Sequence, residues 1–160
     1  MKYKCTMLVV NDIKKSVEFY THILQLKIIS DLGANVTLSG GIALQTRESW
    51  QQFTNSQIAC VFEPNNNVEL YFEENHFDKF IARIENKELE FLGEKITTFP
   101  WEQRVARFYD PDRHIIHVGE DLVTVVKRLH HQEMHLDEII KKTYCPKDIA
   151  EKIILSFDKR

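Results

Sequence analysis

The chain has 160 residues, 43% hydrophobic and 28% charged, which suits one domain or two small modules sharing a core and excludes disorder or collagen-like repetition. A net charge of −3 supplies no general attraction to nucleic acid or anionic lipid. Apolar runs such as Met7 to Val10 fall far below the roughly 18 residues of a membrane span. The opening MKYKC lacks an apolar signal core, so no membrane insertion or secretion is expected. Cys5, Cys60 and Cys145 are an odd, widely spaced set that fits a reducing cytosol, and a cytoplasmic protein is expected.

Thr6 to Val10 is apolar and β-prone, and Asp12 behind it is a good helix N-cap. Ile13, Val17, Tyr20 and Leu24 then recur at helical spacing, with Lys14, Lys15 and Glu18 on the other side. Three strand-like runs follow: Lys27 to Ser30, Asn35 to Leu38 and Gly41 to Gln45, punctuated by Gly33 and Gly40–Gly41. The order returns in the second half. Val68 to Phe72 reads as a strand, and Phe77, Phe80, Ile81 and Ile84 as a helix face. Strands are then predicted at Glu90 to Leu92 (extending towards Thr97), Arg104 to Tyr109 and His114 to Val118, the last two joined by the turn Asp110–Pro111–Asp112. A βαβββ unit of about 60 residues cannot close a core alone, so two copies are expected to pack together. Glu48 to Pro64 reads as a linker with a strand at Ile58 to Phe62. Beyond Leu122, amphipathic spacing predicts three helices, over Leu122 to Leu129, Met134 to Ile140 and Lys147 to Leu155.

Two segments carry a resemblance: CTMLVVNDIKKSVEFYTHILQLKII (residues 5–29) and PWEQRVARFYDPDRHIIHVGE (residues 100–120). With the doubled βαβββ order they resemble the vicinal oxygen chelate superfamily, the glyoxalase/bleomycin-resistance/ring-cleaving-dioxygenase group, over roughly residues 3 to 121. The resemblance implies an α+β fold in which two modules (3–46 and 66–120, linker 47–65) form a cupped mixed sheet within a domain 1–121, followed by a helical extension 122–160. It also implies a small-molecule ligand and a homodimer, with no nucleic-acid or membrane partner.

Four positions carry the chemistry of that family, one on the first and one on the last strand of each module, and by the resemblance they fall here on Cys5, Gln45, Glu69 and His117. Period-two alternation separately puts all four on one kind of face: Leu8, Val10, Ile42, Leu44, Val68, Leu70 and Phe72 take the helix-packed side. Cys5, Glu69 and His117, with Gln45, would suit one divalent metal such as Zn, Ni, Mn or Fe. A single histidine makes a poor iron-dioxygenase triad, and His117 stands where glyoxalase I proteins use glutamate. Glu69 and His117 are the catalytic candidates, with His117 suited to act as a general base near neutrality. Tyr71, Trp101 and Arg104 are candidates for binding substrate; for Arg104 and Arg107 a surface ion pair is the plainer account.

Two functions stay open. One is a metal-assisted lyase or isomerase acting on a small oxygen-bearing substrate; the other is a metal-free binding protein that sequesters an antibiotic or metabolite. A third, a regulator coupling the pocket to the tail, follows from the extension alone. The helix-turn-helix cadence of the tail interleaves Lys141, Lys142, Lys147 and Lys152 with Asp137, Glu138, Asp148 and Glu151, leaving no footprint for phosphates. His130, His131 and His135 lack the HExxH spacing and read as a solvated helix face. Arg113 occupies a turn position where the family has glycine.

Overall fold

A computed structural model describes residues 1–54 and 68–156, so the strand expected at Ile58 to Phe62 lies outside the described residues. The chain forms two compact units, Met1–Asn67 with Asp110–His114, and Val68–Tyr109 with Ile115–Arg160.

The first unit begins with β1 (Thr6–Val10) and α1 (Ile13–His22), then β2 (Ile28–Asp31), β3 (Asn35–Leu38), β4 (Ile42–Thr46) and α2 (Arg47–Thr54). Its sheet runs β1-β4-β3-β2, parallel between β1 and β4 and antiparallel elsewhere. The Asp12 side chain accepts from the Lys14 and Lys15 amides and so caps α1, as its position predicts. α1 covers β3 and β4 with Ser16, Phe19 and Tyr20, and Leu8, Val10, Val36, Leu38, Ile42 and Leu44 are buried. The start of the expected linker is helical: α2 follows β4 with no break.

The 110–114 turn belongs to this unit. Asp110 is buried and its Oδ1 accepts the Asp112 and His114 amides at 2.9 and 2.8 Å. Oδ2 accepts the Tyr20 hydroxyl at 2.9 Å and meets His114 Nδ1 at 2.8 Å. Asp112 Oδ1 accepts from the Asn11 amide, and Oδ2 from the Ser16 hydroxyl. Arg113 sits at φ 67°, in the left-handed region that glycine would favour. The network around Asp110 supplies the constraint that keeps an arginine there.

The second unit repeats the order with β5 (Glu69–Glu74), α3 (Phe77–Ile84), β6 (Thr97–Thr98), β7 (Arg104–Tyr109) and β8 (Ile115–Glu120), in a sheet ordered β5-β8-β7-β6. β5 and β8 are parallel, Tyr71 opposite His117; β7 and β8 are antiparallel, Arg107 opposite His117. The strand expected at Glu90 to Leu92 reduces to one bridge, Phe91 to Phe108, and β6 is only two residues long. α3 packs Phe77, Phe80 and Ile84 onto the sheet, with Phe80 stacked on Phe108 at 6.3 Å. α4 (Leu122–His131), α5 (Leu136–Thr143) and α6 (Lys147–Leu155) complete this unit around Val125, Val126, Leu129, Ile139, Cys145, Ala150 and Ile153. No helix among the described residues is long and apolar enough to cross a membrane.

Candidate functional site

In the first unit the parallel register separates the two expected site residues. Val9 lies opposite Gln45, whereas Cys5 precedes β1 and sits level with Gly41, because the Thr6 amide donates to the Gly41 carbonyl. They share a face but stand four strand positions apart, roughly 13 Å at about 3.3 Å per residue. Gln45 is buried and its amide donates to Ser49 Oγ of α2 at 2.8 Å. Cys5 is a half-buried free thiol.

The second unit brings its pair together. Glu69 Oε1 lies 3.0 Å from His117 Nδ1, and Glu69 Oε2 accepts from Arg107 Nε at 3.0 Å. Arg107 Nη2 is 3.3 Å from His117 Nδ1. A carboxylate only accepts, so the closer contact puts the Nδ1 proton towards Glu69 and leaves Nε2 as the acceptor. That nitrogen is buried and has no hydrogen-bond partner, on a residue only 7% exposed. The Arg107 hydrogen bond holds the Glu69 carboxyl below its ordinary value; burial opposes this and the His117 hydrogen bond adds to it.

Aromatic rings surround this group. Tyr71 meets His117 edge-on at 4.7 Å, Phe99 packs against Trp101 at 4.6 Å and lies 6.3 Å from His117, and Arg107 stands 5.1 Å over Phe99. Tyr71 and Trp101 are 49% and 40% exposed. Gln103 ties the wall together: its amide nitrogen donates to the Tyr71 hydroxyl at 2.9 Å and to the Glu120 carbonyl at 2.8 Å, and its oxygen accepts the Trp101 indole N–H at 3.1 Å. Gly119 makes this arrangement fit, since a Cβ there would stand 2.8 Å from Gln103 Nε2 and 3.1 Å from Tyr71. Burial raises the Tyr71 hydroxyl above its ordinary value.

Arg104, expected at the substrate, is elsewhere. It shares the phase of Ala106 and Phe108, so it projects to the α3 side, where it pairs with Glu120 and Asp78 and lies over Phe77. Its fully buried partner Glu120 also receives Arg128 of α4. Burial works against the Glu120 charge, but the two guanidinium groups outweigh it and keep the carboxyl low. The arginine on the site face is Arg107. The same alternation carried that signal, because Phe108 identifies the packed side of β7. Phe99 and Gln103 were invisible in the sequence, since a loop with no period gives no face.

The donor set does not fit the expected metal. Cys5 and Gln45 do not converge, and both Glu69 oxygens are taken by His117 and Arg107, whose cation neutralises the carboxylate. Among the described residues no three His, Cys, Asp or Glu side chains are grouped to hold an ion, and this includes His130, His131 and His135.

Two successive βαβββ units, the second with a histidine–carboxylate pair on its last and first strands, define a protein of the glyoxalase/bleomycin-resistance fold. The chain belongs to the glyoxalase-like domain family, whose model matches residues 3–123. It is similar to a protein of unknown function from Agrobacterium tumefaciens, at 34% identity over 76% of this chain and 95% of that one, with a TM-score of 0.69. A glyoxalase-related enzyme from Fulvimarina pelagi shares the fold at 16% identity, covering 76% and 89% of the two chains with a TM-score of 0.64. So does a genomically encoded fosfomycin resistance protein from Listeria monocytogenes, at 18% identity, 78% and 97% coverage and a TM-score of 0.58. No curated protein matches the sequence.

Proposed function

We propose that this protein binds a small aromatic, oxygen-bearing molecule without a metal, on the sheet face formed by Tyr71, Phe99, Trp101, Arg107 and His117. The observation that carries the reading is Arg107: its guanidinium bonds Glu69 and approaches His117, so the pair that would bear a metal already shares a cation. Exposed rings stack a planar ligand, Arg107 attracts an anionic or electron-rich edge, and His117 Nε2 accepts from a hydroxyl or amine. Because that nitrogen is covered, the ligand must displace a ring edge to reach it.

Titration with anilinonaphthalene sulfonate, an aromatic anion, tests this. Binding at the wall should weaken markedly in Arg107→Ala and should not depend on chelators. Equal affinity in the parent and in Arg107→Ala would sink the reading, as would stoichiometric Zn, Ni, Mn or Fe retained at Glu69 and His117 after purification without chelators.

A second reading, a lyase or isomerase working by proton transfer, is favoured by one contact. Glu69 on Nδ1 orients His117 and leaves Nε2 as the base, the arrangement general-base catalysis requires. In that case His117→Gln would abolish turnover of a screened substrate while leaving its binding intact. We place the protein in the cytoplasm as a homodimer; cell fractionation checks the first and sedimentation of the purified chain the second.

A further inference from the structure

We propose that the C-terminal helices are the positioning element of the aromatic wall: Arg128 of α4 and Lys142 of α5 converge on Glu102 and thereby aim Phe99 and Trp101. The inference rests on the wall being the ligand site. Phe99 and Trp101 sit on the loop between β6 and β7, closed by backbone hydrogen bonds from the Phe99 amide to the Gln103 carbonyl (2.9 Å) and from the Glu102 amide to the Phe99 carbonyl (2.8 Å). Glu102 takes φ 67°, a left-handed conformation that a residue with a Cβ holds only when its surroundings impose it.

Beyond the loop's own backbone bonds, those surroundings include two groups of the tail. Arg128 Nη2 donates to the Glu102 carbonyl, and Lys142 Nζ donates to its carboxylate at 2.9 Å. Arg128 is itself anchored, with Nε and Nη2 at 3.2 and 3.1 Å from the buried Glu120 carboxylate that Arg104 also holds. Across the loop, Trp101 is tied through Gln103 to Tyr71. A cavity of about 70 Å³ lies between the two groups, with Glu73, Trp101 and Gln103 on the wall side and Leu122, Val125 and Thr143 on the tail side. The tryptophan therefore stands against the extension. An isolated surface ion pair contributes little. Two cations from two helices meeting on one strained loop residue form a clamp, and a clamp acts on whatever that loop carries. Lys142 and Arg128 reach Glu102 rather than the rings, so their effect on a ligand is indirect.

The test uses the full chain with Trp50→Phe, so that Trp101 alone reports. Lys142→Met keeps the aliphatic stem and removes the ion pair, and Glu102→Gln keeps the backbone and removes the carboxylate. Both should raise acrylamide quenching of Trp101 about twofold and weaken anilinonaphthalene sulfonate binding about fivefold, within the range of indirect couplings. Lys142→Arg should restore most of the loss, and the melting temperature should stay within about 3 °C. Unchanged quenching in both variants overturns the clamp. Quenching needs no ligand, so increased quenching alongside probe binding that is indifferent to Arg107→Ala sustains the clamp while removing the proposed function.

Discussion

The two βαβββ units share strand order and differ in what their sheet faces carry. In the first, Gln45 turns aside to Ser49 and Cys5 lies at the far end of the parallel pair, so the first and last strands of the unit bring no two of the expected site residues together. In the second, the equivalent strands β5 and β8 bring Glu69 and His117 together, and the neighbouring β7 adds Arg107 within hydrogen-bond reach of both, beside a set of aromatic rings. The register is the same in both units: Met7, opposite Ala43, stands two positions before Gln45 as Glu69, opposite Ile115, stands two before His117. The difference therefore lies in residue type, with a thioether where the second unit has a carboxylate. Two side chains on neighbouring strands cooperate only when they are opposite or diagonal; Met7 is the residue diagonal to Gln45, and Cys5, one alternation further back, is out of reach. The first unit is thus read as scaffold and the second as site.

Removing the centre of the scaffold should have the largest effect. Asp110→Ala strips Tyr20 of its hydroxyl partner and leaves a buried phenol unsatisfied, besides freeing the turn at Arg113. A loss of about 3 kcal/mol in urea unfolding is expected. The same variant should leave the second unit's probe affinity unaltered wherever the protein stays folded. A matching loss of affinity would break the division between scaffold and site.

Next in size is the site itself. Arg107→Ala should weaken anilinonaphthalene sulfonate binding by about 2 kcal/mol, roughly thirtyfold, while Gln45→Leu should change it by less than twofold. A larger effect from Gln45 would reassign the binding face. Gly119→Ala introduces a Cβ that pushes Gln103 off Tyr71 and the Glu120 carbonyl. It should cost about 1 kcal/mol of binding, read by the same titration.

The smallest effect is a pH dependence in the first unit. Burial opposes the charge on His114, but the hydrogen bond and charge of Asp110 outweigh it, so its pKa is raised in the folded state. A raised folded value means that the contribution to stability is complete below the unfolded pKa of about 6.5 and is lost as pH rises through the folded value. The urea midpoint should therefore fall as pH rises above about 6.5, and His114→Gln should flatten that slope. A parent slope of the opposite sign would show that His114 is not held by Asp110.

Much of the fold was legible before any coordinates. The Asp12 cap, the spacing Phe77–Phe80–Ile84 and the strands Thr6 to Val10 and Arg104 to Tyr109 are local signals, and they appear where the sequence put them. The helical start of the linker was missed, because Arg47 to Thr54 carries one buried residue, Ser49, and no apolar stripe. At the site, alternation identifies the face holding Glu69, Tyr71 and His117, and on β7 the same rule points to Arg107, because Arg104 shares the phase of Phe108.

What the amino-acid order determined by itself is the sequence of elements and the face on which each strand residue lies, because both follow from periods of two and 3.6 written into neighbouring residues. Register, and the company each side chain keeps, came only from the tertiary structure. Which of four same-faced residues meet, that Arg107 takes the place beside Glu69, and that Glu102 is held from a tail beginning twenty residues later all depend on contacts between segments distant in the chain. No local pattern encodes such contacts.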